Sequence, residues 1–196
     1  MAESTRFSIN SFKDRIASEG GLSRGVWFNC QITHPNPNFS FTDDTHSLLC
    51  KAANLPSATL DPIELKYFTR SVKVPGSRQF APVTLTFYNT QSYSVRNIFL
   101  TWLSVFNTPV TNVRNAIEND KNGQDVQAFG NTDNYATITL YPRDETHKEL
   151  GEYQFFYAFP SSVSGLQYSY ENDGQMQTYD VEFQYLHATF FPKFAS

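Results

Sequence analysis

The sequence predicts a mainly β protein: an antiparallel β-sandwich or partial barrel with one flanking α-helix and a long β-arm. Three observations carry that expectation. Apolar and polar side chains alternate with period 2 in several stretches, which is the signature of half-buried strands. Only one stretch has helical apolar spacing strong enough for a core element. Hydrophobic residues make up 40% and aromatics 16% while charged residues are only 17%, so Ser, Thr, Asn and Gln must supply much of the polar surface, a mix that suits sheets.

A chain of 196 residues is long enough for one well-buried core. Residues 1–25 read as an N-terminal arm, where Phe7, Ile9, Phe12 and Ile16 allow a short helix before Gly20-Gly21 but offer too little apolar surface for a core. Residues 26–196 read as a single β domain. Its first strand, Val26–Thr33, sets Val, Phe, Cys and Ile against Trp, Asn, Gln and Thr. The turn-rich loop HPNPNFSFTDDTH, residues 34–46, leads to Ser47–Ala53 as a returning strand. A hairpin symmetric about residue 40 would set Cys30 opposite Cys50, as two small buried thiols rather than a redox pair.

The arm follows in residues 54–80, punctuated by Pro56, Pro62 and Pro75-Gly76, with strand-like runs Ile63–Tyr67 and Val72–Val74 either side of a basic corner; its expected extent is 63–80. Val83–Tyr88 is another alternating strand. The helix spans 93–107: Val95, Ile98, Phe99, Trp102, Leu103 and Phe106 fall on one stripe, Ser92 or Ser94 can cap it, and Pro109 stops it. Residues 108–134 are polar and read as a long loop. Strands resume at Tyr135–Pro142 and Leu150–Phe159. Pro160 and Gly165 bracket a link before a short strand at Leu166–Tyr170, and Asn172-Asp173-Gly174 signals a tight turn. The last strand, Met176 to Ala188, puts Tyr179, Val181, Phe183 and Tyr185 on one face and Asp180, Glu182 and Gln184 on the other.

The residues offer little to catalyse with. No P-loop, dinucleotide fingerprint or nucleophile elbow is present. Of the four histidines, none is paired at the spacing of a helical metal site, and His34, Asp43, Asp44 and His46 read as a solvated loop rather than a cation site. Asp180 and Glu182 stand about 6.6 Å apart along their strand, which two catalytic carboxylates could use, but this spacing more often marks a wet sheet face. No enzyme, cofactor or metal is expected. No run of 18 apolar residues is present, so no membrane partner is expected either. The first residues, MAESTRFSINSFKDRIASEGG, lack an apolar signal core, which leads to the expectation of a protein that stays where it is made, with its two cysteines reduced.

Charge is unevenly placed. Residues 51–114 carry seven basic side chains against two acidic ones, and residues 115–196 carry four against twelve. A chain basic in its middle and acidic towards its end can pair with copies of itself or neutralise itself internally. The arm's Lys66, Arg70, Lys73 and Arg78, with Tyr67 and Phe68 among them, could also suggest a single-stranded nucleic-acid groove, but the acidic remainder argues against it.

The segments CKAANLP, VKVPGSRQF, VRNIFLTWLSVFN, ITLYPRD and FPSSVSGLQYSYENDGQMQTYDVEFQY, in that order, resemble the tail tube proteins of contractile-tailed bacteriophages over roughly residues 24–188. The resemblance implies a virion protein, assembled in the host cytoplasm, whose sheets fuse with those of its neighbours. The product would be a homo-hexameric ring with a continuous β-barrel lumen, stacked into a tube. Tail sheath, baseplate and tube-terminator proteins would be its partners, and double-stranded DNA would pass through it non-specifically. Lys66, Tyr67, Phe68, Arg70, Lys73 and Arg78 are then the candidates for contact between subunits or rings, and Asp180, Glu182 and Gln184 for the lumen. Two other readings stay open at this point: a tube or tube-initiator protein of a related injection system or baseplate, and a carbohydrate-binding β-sandwich displaying Trp27 or Tyr93.

Overall fold

The computed structural model describes residues 8–18, 22, 27–36, 39, 41, 44–106, 134–169 and 175–193, with the side chains of 44–46 excepted. The element order is α1 (Ile9–Ser18), β1 (Trp27–Thr33), α2 (Asp44–Leu49), β2 (Cys50–Asn54), β3 (Ala58–Tyr67), β4 (Arg70–Phe80), β5 (Val83–Tyr88), α3 (Ser94–Phe106), β6 (Ala136–Arg143), β7 (Gly151–Val163), β8 (Thr178–Gln184) and β9 (His187–Pro192). Among the described residues, seven strands form one antiparallel path, β1-β6-β7-β8-β5-β2 with β9 added on β7, while β3 and β4 form a separate two-stranded sheet.

The strand that makes this path into two layers is β7. Its first half, Gly151–Phe156, is joined to β9, and its second half, Phe159–Val163, to β8. Between the halves the ladder to β6 shifts register, and Tyr157 takes a left-handed φ of 54°. A bulge of this kind bends the strand and strengthens its twist, so a single chain segment serves both layers. A second shift at Pro160/Ser162 absorbs the missing amide hydrogen of Pro160.

Between the layers lies the core. Cys30, Ile32, Ile138, Leu140 and Phe155 come from the β1-β6-β7 side, Val83, Leu85, Phe87, Tyr179, Val181 and Phe183 from β5 and β8, and Val95, Phe99 and Trp102 from α3. The helix stripe packs as its spacing requires: Phe99 meets Phe41, Phe87 and Phe183 at centroid distances of 5.3, 5.2 and 5.8 Å. Trp102 donates its indole N–H to the Asn134 carbonyl at 2.8 Å.

Five expectations change. Ser47–Ala53 is not one returning strand: α2 ends at Leu49 and β2 begins at Cys50. Nor is there a β1–β2 hairpin, because β1 pairs with β6 and β2 with β5; Cys30 is opposite Leu140 and Cys50 opposite Phe87. Pro160 does not end β7, and Leu166–Ser169 is not a strand. The long last strand breaks at Tyr185 and Leu186, and His187–Pro192 continues as β9. The Asn172-Asp173-Gly174 turn and all of the 108–134 loop except Asn134 lie outside the described residues.

Candidate assembly surface

The arm is an amphipathic two-stranded ribbon. Its register pairs Ile63 with Val74, Leu65 with Val72 and Tyr67 with Arg70, and these alternate with Glu64 opposite Lys73 and Lys66 opposite Ser71. One face of the ribbon is therefore apolar and the other charged. The apolar face is solvent-exposed: Ile63, Leu65 and Tyr67 are 52%, 53% and 70% exposed. Every residue of β3 is exposed. The arm runs from Ala58 to Phe80, starting five residues before the expected Ile63, and bends where the register shifts between Leu60 and Pro62.

At the tip, Phe68 is 90% exposed with a left-handed φ of 51°, and its ring stands edge-on to Tyr67 at 4.9 Å. Lys73 pairs with Glu64 at 3.5 Å within the ribbon, and Arg78 lies over the Phe80 ring at 5.4 Å. Lys66 and Arg70 make no ion pair with any described residue and leave the tip basic. The six contact candidates thus divide into two groups. Lys66, Tyr67, Phe68 and Arg70 gather at the tip; Lys73 is partnered along the ribbon, and Arg78 stands at its root. Sequence reasoning singled out the basic corner and missed the apolar face of Ile63, Leu65, Val72 and Val74, which the β3–β4 register brings together.

An aromatic cleft of about 270 Å³ opens at the root of the arm, lined among others by Phe80, Tyr153, Phe155, Tyr185 and Phe190. Tyr153 and Phe190 stack across the β7–β9 ladder at 4.2 Å.

The outer face of the β7-β8-β5-β2 layer brings the three lumen candidates together. Asp180 is exposed, and Glu182 and Gln184 are half-buried, while their strand neighbours Tyr179, Val181 and Phe183 point into the core. Cross-strand registers set Thr86 beside Asp180 and Thr84 beside Glu182, and the Thr86 hydroxyl donates to the Asp180 carboxylate at 2.6 Å. The ammonium of Lys51, 5.7 Å over the Tyr88 ring, is the basic group found at its margin. The result is a flat surface of hydroxyls, amides and carboxylates. On the inner side, burial pushes the Tyr179 hydroxyl far above its ordinary range against a smaller opposing pull from Arg96, so it stays neutral.

Other sequence candidates are accounted for locally. His34 accepts the Asn36 amide hydrogen at 3.0 Å and packs edge-on to Trp102, as a core aromatic does. Asp43 and the side chains of Asp44 and His46 lie outside the described residues. Trp27 packs against His147, and the hydroxyls of Tyr93 and Tyr168 are 2.9 Å apart. Among the described residues no three His, Cys, Asp or Glu side chains converge on a common point, and no helix is long and apolar enough to cross a membrane.

Comparison with known proteins identifies the family and the fold. The family described as phage tail tube protein matches residues 23–189. The tail tube protein gp19 of Enterobacteria phage T4 is 25% identical over 167 residues, 85% of this chain and 91% of that protein. Its counterpart in Enterobacteria phage T6 is 24% identical over the same share. Among solved structures, the tube-terminating cap of the anti-feeding prophage superposes with a TM-score of 0.60 at 14% identity, over 88% of this chain and 92% of that one. The sheath–tube complex of an extracellular contractile injection system superposes with a TM-score of 0.57 at 14% identity, over 98% and 100%. The chain belongs to the phage tail tube protein family, structural proteins of the virion tail.

Proposed function

We propose that this chain is the repeating subunit of a conduit for double-stranded DNA. Six copies close a ring, and rings stack into a tube inside a contractile sheath, bounded by baseplate and terminator proteins. The role requires no catalysis and no cofactor. The observation that carries the reading is the arm: an isolated two-stranded ribbon is marginal in water, and this one exposes an apolar face and, among the described residues, pairs with no other strand. A neighbouring copy supplies what the ribbon lacks. The aromatic tip, Tyr67 and Phe68 with Lys66 and Arg70, is the anchor, and the aromatic cleft at the root of the next copy's arm is a surface of matching chemistry. Contacts running from tip to root are head-to-tail, and such contacts form a ring where the rotation between successive copies closes on six.

The lumen role falls to the face carrying Asp180, Glu182 and Gln184. DNA presents about one negative charge per 1.7 Å of axis, so a basic wall would hold it by releasing counterions. A wall of carboxylates, hydroxyls and amides gives it no such hold and lets it slide.

Sedimentation and negative-stain microscopy of the purified chain, over a range of concentration and salt, test the reading. Rings or hollow tubes are expected, and Arg70→Glu combined with Lys66→Glu should weaken them. A chain that stays monomeric even when tail baseplates are supplied as nuclei would overturn it.

A further inference from the structure

The arm is not one uniform ribbon. Leu60 pairs with Arg78 and Pro62 with Pro75, so Gly76 and Ser77 of β4 stand opposite Asp61 of β3, a bulge with one extra residue. Neither proline of the next pair carries an amide hydrogen, so the ladder is thinned where the ribbon bends. The bulge separates a root, residues 58–60 with 78–80, from a distal blade, residues 62–75, which keeps one regular register to its tip. Phe80 holds the root to the body of the domain through the Tyr185 ring, 5.9 Å away. A side-chain hydrogen bond closes the bulge: the Gln79 amide donates to the Asp61 carboxylate at 2.6 Å. Gln79 belongs to the root and Asp61 to the bulge, so this bond fixes the angle between root and blade. Gln79 also lines the aromatic cleft, beside Arg78 and Phe80.

We propose that the Gln79–Asp61 bond is an autoinhibitory latch, opened when the arm tip of a second copy of this chain enters the cleft. The inference rests on the conduit reading, in which tip meets root. In the free chain the latch holds the blade in one pose. An incoming tip brings its turn carbonyls to the cleft together with the cations of Lys66 and Arg70. The carbonyls compete for the Gln79 amide, and the cations attract the Asp61 carboxylate that the amide releases. A ligand shifts a two-state equilibrium only as far as it binds one state better, and these contacts are open to the tip only when the latch is undone. The released blade then swings about the bulge, where Gly76 already lies against the Asp61 carbonyl, and offers its own tip onward. Each addition thus readies the next, so growth runs from occupied ends while free chains stay apart.

The test uses the full chain and two variants. Gln79→Leu removes the donor at similar size, and Gln79→Glu sets a second carboxylate against Asp61. With fluorophenylalanine incorporated at Phe68, the fluorine resonance of the monomer should narrow roughly twofold in both variants as the blade loosens. Light scattering should show the wild type growing on tail baseplates and hardly at all without them. Both variants should grow without baseplates roughly fivefold faster than the wild type, about the effect of one exposed hydrogen bond on the population of the open state. Unseeded growth that is unchanged or slower in both overturns the latch, since a bond that merely braced the arm would leave growth slower when lost. A gain in Gln79→Leu alone overturns it too, because the added apolar surface then accounts for the change. If the wild type fails to grow even on baseplates, the conduit reading falls; a fluorine line left broad in both variants overturns the latch by itself, whatever the growth.

Discussion

Phe68 takes a left-handed φ of 51° at the tip of the arm, and its ring stands edge-on to Tyr67 with the centroids 4.9 Å apart. A bulky aromatic in that conformation costs about 1–2 kcal/mol relative to glycine, and at 90% exposure the ring gains little burial beyond its contact with Tyr67 to offset the strain. Phe68→Gly should therefore leave the monomer within about 1 kcal/mol of wild type, since the relieved strain offsets the greater freedom of the unfolded chain. The same change should weaken ring or tube formation at least tenfold, about the effect of losing an aromatic anchor. Urea unfolding and sedimentation of the same sample separate the two effects. A loss of monomer stability with assembly intact would remove Phe68 as an anchor.

Gly76 makes a similar case for the ribbon itself. A Cβ there would stand 2.4 Å from the Asp61 carbonyl oxygen and 2.7 Å from Ile63 Cγ1, and the backbone atom cannot move without opening the β3–β4 ladder. The close approach lies beside the register shift between Leu60 and Pro62. Gly76→Ala should distort the arm and abolish assembly while shifting Tm by only a few degrees, because the ribbon lies outside the core. Amide exchange should rise in Ala58–Phe80 and stay unchanged in β5 and β8. Protection lost throughout the chain would mean that the arm and the core unfold together.

These two residues also show what the sequence could convey. The α3 stripe was legible because a helix carries its own period: Val95, Phe99 and Trp102 lie on one face whatever they meet. The same holds for Tyr179, Val181 and Phe183 in β8, set by alternation alone. What a single sequence leaves open is which strand lies beside which. The pairing of Cys30 with Leu140 spans most of the chain, and a nearby hairpin partner is the natural expectation. Pro160 misled because a proline can stay in a strand where a bulge removes the need for its hydrogen. In the arm, the basic residues were visible one by one, whereas the apolar face emerges only when the β3–β4 register aligns Ile63 with Val74 and Leu65 with Val72.

The Thr86–Asp180 hydrogen bond and the neighbouring Glu182 set the charge of the proposed lumen. Replacing both acids, Asp180→Lys with Glu182→Lys, should cost the fold about 1–2 kcal/mol through the lost charge-assisted bond and leave tubes able to form. DNA should then leave such tails slowly, and raising the salt concentration should restore much of the rate, since counterion release is what holds DNA to basic walls. Ejection followed by dye fluorescence at several salt concentrations measures this. Unchanged ejection at low salt would show that the face carrying Asp180 and Glu182 is turned away from the DNA.

Strand β9 is held at its end by a clasp, with Lys193 and Arg143 both paired to Glu149. The hydrogen bond from Lys193 is the main cause holding the Glu149 carboxyl below its ordinary value of 4.5, opposed by its partial burial. The same bond holds Lys193 above 10.5. A depressed acid contributes stability above its unfolded pKa and loses it as pH falls through the folded value. A raised lysine contributes below its unfolded pKa and loses it as pH rises through the folded value. The clasp should therefore be whole between about pH 4.5 and 10.5 and open on either side of that window. Amide exchange in His187–Pro192, corrected for the intrinsic rate, should rise below pH 4.5 ahead of exchange in β8, and Lys193→Gln should bring the same fraying at neutral pH. Because the pair is partly exposed and screened by salt, the effect should stay local to β9 and leave the global unfolding midpoint nearly unchanged. If β9 and β8 lose protection together on acidification, the clasp is not what holds the strand.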